Sequence, residues 1–158
     1  MKEILTKVVD AAVDKSAAEY VEARAQTLSR TTITVKEGRV EAARQGIENG
    51  VALRVLVNGA WGFASVGAFD AHTLTDAVLD ACSMAKAASS RRKTPIKLAQ
   101  TPAVEDTVIL KPRKNPSEIA IENKIKLALA TNNTAMDYDK RVRSCTINYQ
   151  DETGTDFF

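Results

Sequence analysis

Asn58-Gly59 stands between two segments of two-residue periodicity, and that arrangement leaves few folds open. Both central residues of a type I′ turn need positive φ, which Asn and Gly accept. On the N-terminal side, Val51, Leu53, Val55 and Val57 alternate with Ala52, Arg54 and Leu56, which predicts a strand with one very apolar face. On the other side, Ala60 to Val66 is the return strand and carries the only tryptophan, Trp61. Upstream, Ile33 and Val35 alternate with Thr32 and Thr34, and β-branched residues suit a pleated, half-buried surface. Lys36-Glu37-Gly38-Arg39 then reads as a tight turn in which Gly38 takes positive φ. A further strand follows through Val40 and Ala42 towards Gln45. Gly46 to Gly50 is expected to break it, with Glu48-Asn49-Gly50 as a turn. Tyr20 to Val66 is therefore an antiparallel meander.

Helical periodicity flanks it. Ile4, Leu5, Val8, Val9, Ala12 and Val13 share one stripe of a 3.6-residue repeat. Leu74, Ala77, Val78, Ala81, Cys82, Ala85 and Ala88 form a second stripe between Asp70 and Ser89, with Asp70 or Thr73 as N-cap. A third helix is expected to open at Asn115-Pro116-Ser117-Glu118, with Asn115 as N-cap and Pro116 as first residue. Its stripe is Ile121, Ile125, Ala128 and Leu129, and Thr131-Asn132-Asn133 is expected to stop it. Arg141 to Gln150 reads as a strand with Val142, Cys145 or Ile147 inward and Tyr149 near its end. Asp151 to Gly154 then turns towards Phe157 and Phe158, a pair that looks like the opening of another strand in a longer chain. The fold class is α+β, an antiparallel β-meander with amphipathic helices packed on one face. Residues 1–90 hold the first helix, the meander and the second helix. Residues 91–114 form a connector, and residues 115–158 complete the same domain.

The connector changes character. Arg91, Arg92, Lys93, Lys97, Lys111, Arg113 and Lys114 face only Glu105 and Asp106, in a chain whose net charge is +2. It includes Pro95, Pro102 and Pro112, with a short strand expected at Val108-Ile109-Leu110. Without interleaved aromatics it reads as a solvated or subunit-contacting linker, not a nucleic-acid groove.

Composition removes several chemistries. His72 is the only histidine, and Cys82 and Cys145 form no CxxC pair, so no zinc site is expected in this chain. His72 reads as a solvated residue at a helix start, and both cysteines as small buried hydrophobes. A reducing, cytoplasmic setting is expected. No GxGxxG or Walker lysine is present, which argues against a nucleotide site. No run approaches the length of a membrane span. The expected chain has no catalytic, metal or cofactor-binding residue. Trp61, Phe63 and Arg54 have two readings: aromatics filling the core between sheet and helix with a snorkelling arginine, or a contact surface for a peptide or partner. Gly38, Gly50, Asn58, Gly59 and Gly62 are expected to shape the turns.

Tyr20-Val21-Glu22-Ala23-Arg24, Val35-Lys36-Glu37-Gly38-Arg39-Val40-Glu41 and the run from Gly50 through Asn58-Gly59-Ala60-Trp61-Gly62-Phe63-Ala64-Ser65 resemble the N-terminal domain of the TldD/PmbA (TldE) family. The TldD-type subunit is the nearer match. Tyr149-Gln150-Asp151 and Thr153-Gly154-Thr155 are similar too. The family carries the label modulator of DNA gyrase and is regarded as a group of zinc metallopeptidases. Its zinc motif, of HExxxH type, lies in a C-terminal domain that has no counterpart here. The resemblance implies a non-catalytic accessory domain in peptide processing, paired as a homodimer or as a heterodimer with a TldD/PmbA-type subunit. Zinc is implied only for the absent domain. The alternative is a stand-alone regulatory module that binds protein or nucleic acid.

Overall fold

The computed structural model describes residues 1–158. In chain order it contains α1 (Lys2–Ser16), β1 (Tyr20–Lys36), β2 (Arg39–Val57), β3 (Ala60–Val66) and α2 (Ala71–Ser89). A 3₁₀ turn (Pro116–Glu118), α3 (Ile121–Asp137) and β4 (Thr146–Phe157) follow. The strands form one open antiparallel sheet in the order β3-β2-β1-β4, which is the expected α+β class. No helix is long and apolar enough to cross a membrane. The residues fall into two compact units, Met1–Thr27 with Asn49–Thr107 and Thr155–Phe158, and Leu28–Glu48 with Val108–Gly154.

In the first unit, Val51, Leu53, Val55 and Val57 of β2 and Ala23 and Ala25 of β1 meet Leu5, Val8 and Ala12 of α1. Leu74, Val78, Ala81, Cys82 and Ala85 of α2 close the same core. Each buried aliphatic side chain contributes about 1.5–3 kcal/mol relative to exposure, so the stripes decide which face of each helix turns inward. Val13, at the rim of the α1 stripe, is exposed instead. The helix ends at Ala17, whose φ of 52° lets its N–H reach the Val13 carbonyl at 3.1 Å. Asp70 caps α2 by accepting the Thr73 N–H at 2.8 Å. The turn between β2 and β3 has the expected geometry, with φ of 50° at Asn58 and 68° at Gly59. From it the register runs from Val57 opposite Ala60 to Val51 opposite Val66.

In the second unit, Ile33 and Val35 of β1 pack with Ala128 of α3, bordered by Ile121, Ile125, Leu129, Ile147 and Tyr149. Two polar residues lie within the α3 stripe. Lys124 is buried and donates to Thr31 Oγ1 at 3.1 Å, and its Nζ lies 2.8 Å from Asp151 Oδ2. The Tyr149 hydroxyl donates to the same Asp151 oxygen at 2.6 Å. Asn132 accepts the Gly38 N–H at 2.7 Å and donates to the Cys145 carbonyl at 2.9 Å. It thereby ties α3 to the turn between β1 and β2, where Glu37 and Gly38 both have positive φ.

Several expected boundaries differ. The strand expected to end near Gln45 continues through Gly46–Gly50 as part of β2, and neither glycine takes positive φ. A long neighbouring strand, β1, supplies a ladder that overrides the local turn preference. Asn115 caps only the 3₁₀ turn. Ile119 and Ala120 are extended, so α3 begins at Ile121. That helix then runs through Thr131-Asn132-Asn133, because the Asn132 amide bonds Gly38 and Cys145 and does not compete for its own backbone. β4 starts at Thr146 and passes through Asp151–Gly154 without turning, since the Asp151 carboxylate is occupied by Lys124 and Tyr149. Val108-Ile109-Leu110 forms no strand.

Candidate functional site

Alternation along β2 decides what lies on the side of the first unit away from its helices. With Val51, Leu53, Val55 and Val57 turned to the helices, Arg54 and Leu56 point the other way. Register sets Phe63 opposite Arg54 and Trp61 opposite Leu56, so both aromatics share that open face. Leu56 is buried there, whereas Phe63 is 59% exposed. The reading of these aromatics as filler between sheet and helix is therefore corrected: one-residue parity places them on the opposite side.

Trp61 is the centre of the group. Tyr20 of β1 meets it edge-on, with ring centroids 5.9 Å apart and planes at 83°. Phe63 lies 6.3 Å away on its own strand. The Arg54 guanidinium carbon sits 4.9 Å from the Trp61 ring centroid, a cation–π distance. Arg54 also forms an ion pair with Glu22, and the Tyr20 hydroxyl donates to the same carboxylate oxygen at 3.1 Å. Hydrogen bonding to Glu22 raises the Arg54 pKa despite opposing burial, so the cation is fixed at any ordinary pH. Arg54 Nε is buried without a hydrogen-bond partner. The arrangement is an aromatic shelf with an ion-paired arginine beside it. It contains no nucleophile paired with a base, and no three His, Cys, Asp or Glu side chains gather where they could hold a metal ion.

Sequence reasoning named Trp61, Phe63 and Arg54, and the fold brings them together. It missed Tyr20 and Glu22, whose signal was their two-residue spacing on β1 beside the hairpin. Among the expected turn residues, Gly38, Asn58 and Gly59 occupy positive-φ turns. Gly50 and Gly62 lie within β2 and β3 instead. A Cβ at Gly62 would fall 1.9 Å from the Ala81 carbonyl oxygen, so that glycine admits the α2 backbone against β3. A Cβ at Gly59 would strike Pro95, whose neighbour Ile96 donates its N–H to the Gly59 carbonyl at 2.9 Å. His72 is exposed and 3.2 Å from Asp76. Cys82 is buried and Cys145 half-buried, and both are free thiols.

Residues 21–89 match the family described as PmbA/TldA metallopeptidase domain 1. These residues are similar to a PmbA/TldD first domain. The chain is 28% identical over 140 residues to a metalloprotease of Methanocaldococcus jannaschii, covering 89% of this chain and 31% of that protein. A metalloprotease of Methanothermobacter thermautotrophicus is 41% identical over 46 residues, which are 29% of this chain and 10% of that one. The chain thus spans less than a third of either relative. Among solved structures, the fold matches a protein of Bacteroides thetaiotaomicron described as a candidate modulator of DNA gyrase, with a TM-score of 0.69 at 17% identity over 98% of this chain and 38% of that one. It also matches TldE of Thermococcus kodakarensis, with a TM-score of 0.64 at 13% identity over 97% of this chain and 34% of that chain. The matched segment includes the β1–β3 meander and α2, hence every residue of the aromatic shelf except Tyr20.

Proposed function

We propose that this chain is the N-terminal accessory domain of a TldD-like zinc metallopeptidase subunit, acting in peptide processing without catalysing it alone. The observation that carries the reading is the first-domain match of residues 21–89 within a chain that aligns to 31% of a metalloprotease. Its open-face shelf of Trp61, Phe63 and Arg54 is then a wall for a peptide or a sister subunit, since rigid aromatics beside an arginine favour contact at low entropy cost. Zinc belongs to a catalytic part outside these residues, and the assembly is a cytoplasmic homodimer or heterodimer of family subunits. The test is the intact mass of the endogenous protein, captured from its source cells with an antibody to residues 91–114. A mass well above 17.1 kDa, with zinc-dependent peptide cleavage in the captured material, supports the reading. A mass near 17.1 kDa overturns it and leaves a stand-alone binding module.

A further inference from the structure

β4 lies beside β1 alone, and little that ordinarily fixes a strand's register acts on it. No tight turn joins it to β1, and residues 138–145 before it form neither helix nor strand. A slip of two residues would keep every side chain on its own face, so burial of one face does not forbid it. The inward row contains two large apolar residues, Ile147 and Tyr149, followed by Asp151 and Thr153. A slip that carried Cys145 and Ile147 into the places of Ile147 and Tyr149 would still set an apolar pair against Ile33 and Val35. Apolar patterning therefore leaves more than one register open.

The polar contacts of β4 all agree on one. The Glu37 N–H donates to the Cys145 carbonyl at 3.2 Å. The Thr34 hydroxyl donates to Asn148 at 3.1 Å, Arg30 Nε to Glu152 at 2.7 Å, and the Gln26 amide to Asp156 at 3.0 Å. Each step along β1 is matched by an equal step back along β4, and the same count sets Thr31 directly opposite Asp151. The outward pairs lie at the surface, where such bonds contribute little. Lys124 differs. It is buried, projects from α3, and bonds Thr31 and Asp151 together. In one slipped register Tyr149 would face Thr31, and in the other Thr153 would. Either leaves the buried ammonium without its carboxylate, a strongly unfavourable state.

We propose that Lys124 is the register key of this sheet, a cation carried by α3 that admits β4 only where Asp151 stands opposite Thr31. Its part is the choice between alignments more than added stability, because apolar replacement of a buried ion pair is often neutral.

Disulfide trapping in the 158-residue chain with Cys145→Ala tests it, with circular dichroism to confirm folding. Thr34→Cys is combined in turn with Asn148→Cys, Thr146→Cys or Gln150→Cys, which face it in the observed register and in the two slipped ones. All three β4 positions are exposed, and Cys82 is buried. With Lys124 and Asp151 in place, the Asn148→Cys pair should close at least ~tenfold faster than either alternative, as a strongly specified register requires. In Lys124→Met/Asp151→Leu, at least one alternative should come within ~threefold of it, as for a weakly specified strand. Tyr149→Asp/Asp151→Tyr moves the acid by two positions and should move the strand with it, making the Thr146→Cys pair the fastest. Trapping confined to the Asn148→Cys pair in the folded neutral variant, or in the folded acid-shifted one, overturns the proposal and gives the register to the surface pairs. A neutral variant that does not fold overturns it as well, because the pair then supplies stability and not choice. Where the acid-shifted chain does not fold, the neutral variant alone decides.

Discussion

Gly62 shows how one residue governs the placement of a helix. It lies mid-strand in β3, where glycine is ordinarily a weakness, yet the Ala81 carbonyl occupies the space a Cβ would need. The obstacle is backbone, and no side chain can swing aside to relieve it. Gly62→Ala must therefore push α2 off the sheet or bend β3, and Leu74, Val78, Ala81 and Cys82 would lose contact together. Overpacking of this kind costs ~1–3 kcal/mol, and the backbone contact puts this site at the upper end. Urea denaturation is expected to show a midpoint lowered accordingly. An unchanged midpoint would mean that α2 does not rest on Gly62. Gly46 is the natural control, because nothing lies within 4 Å of the place its Cβ would take, and Gly46→Ala should leave stability near wild type.

At the scale of elements, what was legible was whatever the local pattern alone decides. The β2–β3 hairpin was readable because Asn58-Gly59 fits one turn type and Val51–Val57 alternates without fault. The α1 and α2 stripes were readable for the same reason. The ends of α3 and β4 were not, because tertiary bonds consume the side chains that would otherwise have stopped them. Asn132, Asp151 and Lys124 look like polar surface residues in sequence, and only the fold sets Lys124 opposite Asp151 across 27 positions. Likewise the Trp61 shelf was half legible: the aromatic hairpin could be named, but which face it occupied depended on a parity shared with Tyr20 and Glu22. The buried pair has a measurable consequence. Lys124→Met leaves the Asp151 carboxylate without its cation, and such a break costs ~3–5 kcal/mol. Lys124→Met/Asp151→Leu, which removes both charges, should recover most of that loss in chemical denaturation. If the single variant proves as stable as wild type, Lys124 is not what holds α3 to β4.

For the whole molecule, the same cluster sets both limbs of stability against pH. Burial alone would raise the Asp151 pKa, yet hydrogen bonds from Lys124 and Tyr149, with the Lys124 charge, leave it below its ordinary value. Asp156 is held low by Arg24, and Asp70 by the Thr73 N–H. A carboxylate with a depressed folded pKa contributes stability that is complete above its unfolded value, 3.8 for these aspartates, and is lost as pH falls through the folded one. The acid limb should therefore lie below about pH 4. Tyr149 works in the opposite direction. Its hydrogen bond to Asp151, with burial and the nearby negative charge, pushes the phenol up to about 12 from 10.0. A group held protonated in the fold but ionising near pH 10 when unfolded contributes stability that is complete below pH 10 and disappears as pH rises through about 12. Urea midpoints measured from about pH 9 to 12 should fall in wild type and fall less steeply in Tyr149→Phe, which cannot ionise. The same variant removes one of the bonds that keep Asp151 ionised, so its acid limb should begin at higher pH. A Tyr149→Phe profile parallel to wild type on both limbs would show that this cluster does not couple protons to folding.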